Sequence, residues 1–143
     1  MPIKPAYTTT AVATGGRNGH SRTLDGAIDV TLASPRELGG SGKGNNPEQL
    51  FATGYAACYL GAMKFASSQD KSLMSLDDDA TVQATVGIGP RQDQGFGLTV
   101  ALEVRAPGAD KAELQRLADA GHKICPYSHA TQGNIDVTTT VSV

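Results

Sequence analysis

Apolar residues fill the stretch from Leu50 to Ala66 with few breaks: Leu50, Phe51, Ala52, Tyr55, Ala56, Ala57, Tyr59, Leu60, Met63 and Phe65. Wound as a helix they fall on every side, and a helix that is apolar all round is buried all round. In so short a chain the pattern predicts a central helix wrapped by sheet or by a second subunit. Ala and Gly at positions 52, 54, 56, 57, 61 and 62 would admit another backbone closely. Elsewhere the period is two. Val82, Ala84, Val86 and Ile88 alternate in 80–90, and Leu98, Val100, Leu102 and Val104 alternate in 96–106. The loop RQDQG joins these runs, so they read as an antiparallel hairpin. A last alternation, IDVTTTVSV at 135–143, predicts a final strand.

Punctuation completes the outline. The β-branched run 7–16 and the run 23–32 read as strands, with Asn18-Gly19 between them as a hairpin signal that places Arg17 at a bend. Residues 33–46 are rich in Gly and small polar residues and read as loop. Asn46 suits an N-cap, Pro47 the first helical position, and Glu48 the first turn, where an acid meets the positive helix end. Asp110 and Glu113 approach the capping-box pattern, and Leu114, Leu117, Ala118, Gly121 and Cys125 follow at helical spacing until Pro126 ends the helix. The order ββ-α-ββ-α-β predicts an α+β fold with antiparallel sheet, in one domain spanning 1–143.

Composition narrows the partners. Hydrophobic residues make up 39% of the 143, aromatic residues 5%, and Trp is absent, so the core is mainly aliphatic and Ala. A net charge of −2 with no long basic run argues against nucleic acid or an anionic membrane as the main partner. The N-terminal MPIKPAYTTT lacks the apolar core of a secretory signal, and the 50–66 run is too interrupted to span a bilayer. The expected home is the cytoplasm, where two cysteines 67 positions apart are not a structural staple by default.

The candidate chemistry centres on those cysteines. Cys58 reads either as a small core hydrophobe or as a reactive thiol in a dry pocket. Cys125, at a helix end before proline, stands where the backbone can swing. A fixed thiol and a hinged one suit a two-step reaction in which one attacks and the other resolves. Burial raises a thiol's pKa, so a reactive Cys58 needs a cation. His20, His122, His129 and above all Arg17 are candidates, although Arg17 also reads as an exposed turn residue. Glu48 precedes Cys58 by ten residues, which on a straight helix is ~15 Å of rise and leaves the side chains about 80° apart. The two cannot touch within one helix, so a shared site would need an intermediary such as Arg17, or two chains. His122, Cys125 and His129 also spell H-x2-C-x3-H, a zinc-like spacing without an evident fourth ligand. The GGSGKG stretch lacks the spacing of a phosphate loop.

Four blocks, ATGGRNGH, SPRELGG, NNPEQLFATGYAACYLGAM and CPYSHATQGNI, together resemble the organic hydroperoxide resistance proteins of the Ohr/OsmC family, in order and over essentially the whole chain. CPYS and the GGRNG hairpin look like the Ohr branch rather than the OsmC branch. The resemblance implies an intertwined α+β homodimer with antiparallel sheets around a central buried helix and active sites at the subunit interface. It implies a cytoplasmic cysteine-based peroxidase that reduces alkyl or fatty-acid hydroperoxides to alcohols in oxidative-stress defence. Cys58 matches the peroxidatic cysteine, Cys125 the resolving cysteine, Arg17 the arginine that stabilises the thiolate and orients the peroxide, and Glu48 the acid that holds this arginine. No cofactor or metal is implied; a lipoyl dithiol, as dihydrolipoamide or on a lipoylated protein, restores the thiols as co-substrate. The block after Cys125 departs from the pattern, with His129 and Gln132 where Asn and Arg are more usual, which bears on the site's rim. Two rival readings carry their own outcomes: a thiol sensor or ligand-binding protein that is oxidised once without turnover, and a zinc protein.

Overall fold

The computed structural model describes residues 2–143, which cluster into two compact units, the first running to Leu50 and the second from Phe51 to Val143. In the first unit, β1 (Ala11–Thr14), β2 (His20–Thr23) and β3 (Asp29–Thr31) form an antiparallel sheet in that order. Thr14 pairs with His20, and His20 with Thr31. The turn between β1 and β2 is a 3-10 turn over Gly16–Asn18, with Gly15 and Gly16 at φ 70° and 59°, so Arg17 does sit at a bend. Gly19 has no room for a side chain, because a Cβ there would lie 1.7 Å from the Thr14 carbonyl oxygen.

The expected strand over 23–32 is two strands. The chain turns between them, with Gly26 at φ 75° and the Asp25 carboxylate accepting from the Thr23 hydroxyl at 2.6 Å and the Ala27 N–H at 3.0 Å. The Asp-Gly pair inside TLDGAIDVTL is itself a turn signal, and it overrides the β-branched residues around it. Beyond β3 the chain runs as loop, with a 3-10 turn over Arg36–Leu38 and an isolated parallel bridge from Leu32 to Asn45.

Helix α1 (Pro47–Gln69) opens on a reciprocal cap: Gln49 N–H donates to Asn46 Oδ1 at 2.9 Å, and Asn46 N–H donates to Gln49 Oε1 at 3.0 Å. Both ends of the box are then satisfied from the side chains of a four-residue motif.

In the second unit, β4 (Thr81–Pro90) and β5 (Phe96–Arg105) form the expected hairpin, paired from Thr81↔Arg105 to Pro90↔Phe96. β6 (Val137–Ser142) joins the other edge of β5, but parallel to it, from Val100↔Val137 to Arg105↔Ser142. This sheet is therefore mixed, where antiparallel pairing was expected. A parallel neighbour needs a crossover, and α2 (Lys111–Ile124) and the short α3 (Pro126–Thr131) supply it. Asp110 caps α2 by accepting the Glu113 N–H at 3.0 Å. Pro126 ends α2, as expected, and also opens α3, which the sequence did not announce.

The core of this unit lies between the inner face of β5, carrying Val100, Leu102 and Val104, and the helices. Tyr55, Tyr59 and Met63 from α1 and Leu114, Leu117 and Ala118 from α2 fill it. Gly121 is where α2 runs closest to α1: a Cβ there would lie 2.6 Å from Met63 Cγ. The expectation that α1 is buried on every side is corrected within one chain. One face is buried, but Ala57, Gly61 and Phe65 face outward, Phe65 at 54% exposure.

Candidate active site: two thiols and an ion pair

The four residues singled out from the sequence come together as two pairs. In the first unit, the Arg17 guanidinium clamps the Glu48 carboxylate with two parallel bonds, Nη1 to Oε2 at 2.8 Å and Nη2 to Oε1 at 2.7 Å. The 3-10 bend presents Arg17, and the first turn of α1 presents Glu48. Bidentate geometry fixes the guanidinium plane as well as its position. Glu48's carboxyl is held below its usual range, first by the hydrogen bonds from Arg17, and Arg17 is raised first by the same bonds. The Glu48 side chain is 12% exposed and that of Arg17 39%, so the arginine is the more accessible member of the clamp.

In the second unit, Cys58 on α1 and Cys125 at the α2–α3 corner are free thiols with sulfurs 3.4 Å apart. Cys125 is fully buried and Cys58 half-buried. Cys125 does double duty in the backbone: its N–H donates to the Gly121 carbonyl and closes α2, while its sulfur accepts the Ser128 N–H at 3.4 Å and caps α3. Burial pushes the Cys58 thiol pKa up; a backbone hydrogen bond with Tyr127 works against this, and Cys125 adds to the rise. None of these influences is a cation, and a thiolate at a site where burial raises the pKa needs a positive group beside it.

Around the thiols stand aromatic rings. Phe51, Tyr55 and Tyr127 form a mutually packed trio with ring centroids 5.7–5.9 Å apart. The Tyr127 ring lies over Gly54, one helical turn before Cys58, and a Cβ at Gly54 would meet its hydroxyl at 3.0 Å. An open cavity of about 250 Å³ is lined by Tyr55, His122, Ser128, Thr131, Gln132, Ile135 and Val137.

The histidines do not act as their sequence spacing allowed. Both ring nitrogens of His122 are taken by hydroxyls, Nδ1 by Ser128 at 2.8 Å and Nε2 by Thr139 at 2.8 Å. Burial lowers the pKa of His122, which favours the neutral ring. His129 faces solvent on α3, and His20 pairs with Asp29 on the first sheet. Among the described residues no group of three or more His, Cys, Asp or Glu could hold a metal ion. The sequence reading missed the Tyr55–Ser128–His122–Thr139 chain of hydrogen bonds. A tyrosine in a buried apolar run was its one signal, since a buried hydroxyl seeks a partner.

A known family shares this arrangement of sequence and fold. The family model described as "OsmC-like protein" matches residues 40–140. The organic hydroperoxide resistance protein of Xanthomonas axonopodis pv. citri is 54% identical over 142 residues, covering 99% of this chain and 98% of that protein. The chain belongs to the OsmC family. Within it, the similarity is to the organic hydroperoxide resistance branch, by structure as well as sequence. A crystal structure of an organic hydroperoxide resistance protein from Legionella pneumophila superimposes with a TM-score of 0.91 at 46% identity, covering 98% of this chain and all of that one. One from Vibrio cholerae, described with captopril bound in one of its active sites, gives 0.91 at 42% identity over 99% and 95%. The α+β fold is thus that of the OsmC family. Among the described residues no helix is long and apolar enough to cross a membrane.

Proposed function

We propose that this OsmC-family protein is a cysteine-based peroxidase that reduces organic hydroperoxides to alcohols, with Cys58 as nucleophile and Cys125 as resolving thiol. The observation that carries the reading is the 3.4 Å contact between two free thiols on different elements, one at a backbone corner. Membership of the organic hydroperoxide resistance branch supplies the substrate class.

The Cys58 thiolate attacks the distal oxygen of R–O–OH in line with the O–O bond. The O–O bond breaks, the alkoxide takes a proton and leaves as alcohol, and Cys58 becomes a sulfenic acid. Cys125 then loses its proton and attacks the Cys58 sulfur, and hydroxide leaves and carries that proton away as water. A disulfide has its sulfurs about 2.05 Å apart, so closure asks only a short approach of the corner. A lipoyl dithiol reduces the disulfide, is itself oxidised to the cyclic disulfide, and returns both thiols.

Arg17 has two tasks in this scheme: it offsets the desolvation that raises Cys58, and it donates hydrogen bonds to the peroxide oxygens. Glu48 holds the guanidinium plane for both. The rings of Phe51 and Tyr127 accept the organic part of the substrate, which gives bulky hydroperoxides an advantage that hydrogen peroxide cannot share. The functional unit is a cytoplasmic homodimer, supported by the outward apolar and small residues Ala57, Gly61 and Phe65 on α1, which suit the close approach of a second copy.

The deciding experiment is steady-state turnover of cumene hydroperoxide, run separately with dihydrolipoamide and with a monothiol. Sustained turnover with the dithiol and little with the monothiol is expected. A single stoichiometric oxidation without turnover would instead make the protein a sensor, and full activity in Cys58→Ser would remove the proposed nucleophile.

A further inference from the structure

The corner that carries Cys125 is braced from both sides by side chains outside the four-residue site. Ser128 is buried, and its hydroxyl lies between His122 Nδ1 at 2.8 Å and the Tyr55 hydroxyl at 3.0 Å. The other ring nitrogen of His122 meets the Thr139 hydroxyl on β6 at 2.8 Å. His122 precedes Cys125 by three residues and Ser128 follows it by three, so the bond between them spans the cysteine. Tyr55 precedes Cys58 by three residues on α1. One hydroxyl, Ser128 Oγ, thus bonds to a near neighbour of each thiol.

The main chain at the same place also holds a sulfur: the Ser128 N–H donates to Cys125 Sγ at 3.4 Å. A shift of the Ser128 backbone therefore moves a donor of the Cys125 sulfur. A buried polar chain of this kind contributes little net stability that well-packed apolar side chains could not match. What it provides is one fixed arrangement of α1, α2, α3 and β6 around the thiols.

We propose that His122 and Ser128 are positioning residues for closure of the Cys58–Cys125 disulfide. The inference rests on the thiol-peroxidase reading for its chemistry, though not for its geometry. The ring nitrogens of His122 meet the Ser128 and Thr139 hydroxyls rather than the Cys125 sulfur, so the Cys125 proton is assigned to the hydroxide that leaves the sulfenic acid. The role of His122 is to keep the corner in the orientation from which Cys125 meets the Cys58 sulfur in line with the breaking S–O bond. A misplacement of ~1 Å in such a step costs roughly a hundredfold in rate.

The test separates the two half-reactions. Full-length wild type, His122→Leu, Ser128→Ala and Thr139→Val are mixed with cumene hydroperoxide, and acid-quenched samples are resolved by mass spectrometry into thiol, sulfenic and disulfide forms. The rate of closure divided by the rate of first oxidation should fall at least about tenfold in His122→Leu and Ser128→Ala, and less in Thr139→Val, which removes only the outer anchor. The same proteins are then oxidised with diamide, which accepts two electrons and two protons from a thiol pair without any peroxide chemistry; the same variants should close slowly again. An unchanged ratio in folded variants overturns the inference, and where both half-reactions slow equally it marks a merely structural role. If wild type forms no sulfenic acid with the hydroperoxide but the variants still close slowly with diamide, the positioning role stands and the peroxidase reading falls. Should His122→Leu fail to fold by near-ultraviolet circular dichroism, Ser128→Ala and Thr139→Val carry the same comparison.

Discussion

Replacing Gly121 by alanine sets two effects of known sign against each other. In an exposed helix the change would stabilise by ~1 kcal/mol, since alanine is the best helix former and glycine among the worst. At position 121 the new methyl would lie 2.6 Å from Met63 Cγ and 3.1 Å from Tyr59 Cε2. Both side chains are fully buried, and the Tyr59 hydroxyl is tied to the Ala118 carbonyl at 2.7 Å, so neither can swing into solvent. Forcing a methyl into such a core costs ~1–3 kcal/mol. Overpacking wins, and the variant should be less stable by about 1 kcal/mol, which for a chain of this size lowers the melting temperature by roughly 2–4 °C. Urea unfolding followed by circular dichroism, at one fixed protein concentration, measures it. The cause is checked in a Met63→Ala background, where much of the obstruction is gone and Gly121→Ala should lose most of its penalty. A Gly121→Ala protein as stable as wild type, or a penalty unchanged by removing Met63, would refute the idea that glycine is required for the approach of α2 to α1.

The site makes further predictions. Cys125→Ser should leave Cys58 to proceed from sulfenic to sulfinic acid under excess hydroperoxide, with dithiol-driven turnover at least about tenfold lower, read by intact mass and by the steady-state assay; unimpaired cycling would exclude Cys125 as the resolving thiol. Arg17→Ala should move the pH profile of Cys58 alkylation by iodoacetamide upward, because burial alone raises that thiol; an unmoved profile would mean that Arg17 does not support the thiolate. Glu48 has a depressed pKa in the fold, so the stability it contributes is present above the ordinary carboxylate pKa and is lost as pH falls through the lower folded value. Glu48→Gln should therefore cost ~0.5–1 kcal/mol at neutral pH, the modest scale of a partly exposed ion pair, and progressively less as the pH is lowered below the ordinary carboxylate range. An equal deficit at neutral and low pH would point to lost packing rather than lost charge.

How far the sequence reached depended on whether a signal was local. The Asn46 cap, the 81–105 hairpin and the Asp110 start of α2 rest on residues within a few positions of one another, and each element stands where its local motif puts it. The parallel pairing of β6 with β5 is a choice between partners far apart in the chain, and alternation alone carries no direction. Strand 23–32 divided because one Asp-Gly pair outweighed the β-compatible residues on either side of it. The Arg17–Glu48 clamp and the thiol contact join residues 31 and 67 positions apart, respectively. Spacing could nominate those residues, and resemblance could pair them, but only the fold brings each pair into contact. The hydroxyl chain through Ser128 left almost no trace, because serine and threonine are too common in any chain to announce a buried partner.

The parallel pairing of β6 also bears on the order in which the protein assembles. The crossover through α2 and α3 cannot be settled until a strand more than thirty residues downstream of Val100 has found its place beside it, and such distant pairings form late in folding. Cys125 rides on that crossover, tethered to β6 through His122 and Thr139. On that reasoning the two thiols are expected to take up their native contact late. Pulsed alkylation during refolding should find Cys125 protected only in the final phase, which makes its reactivity a clock for folding and guards the chain against premature cross-linking.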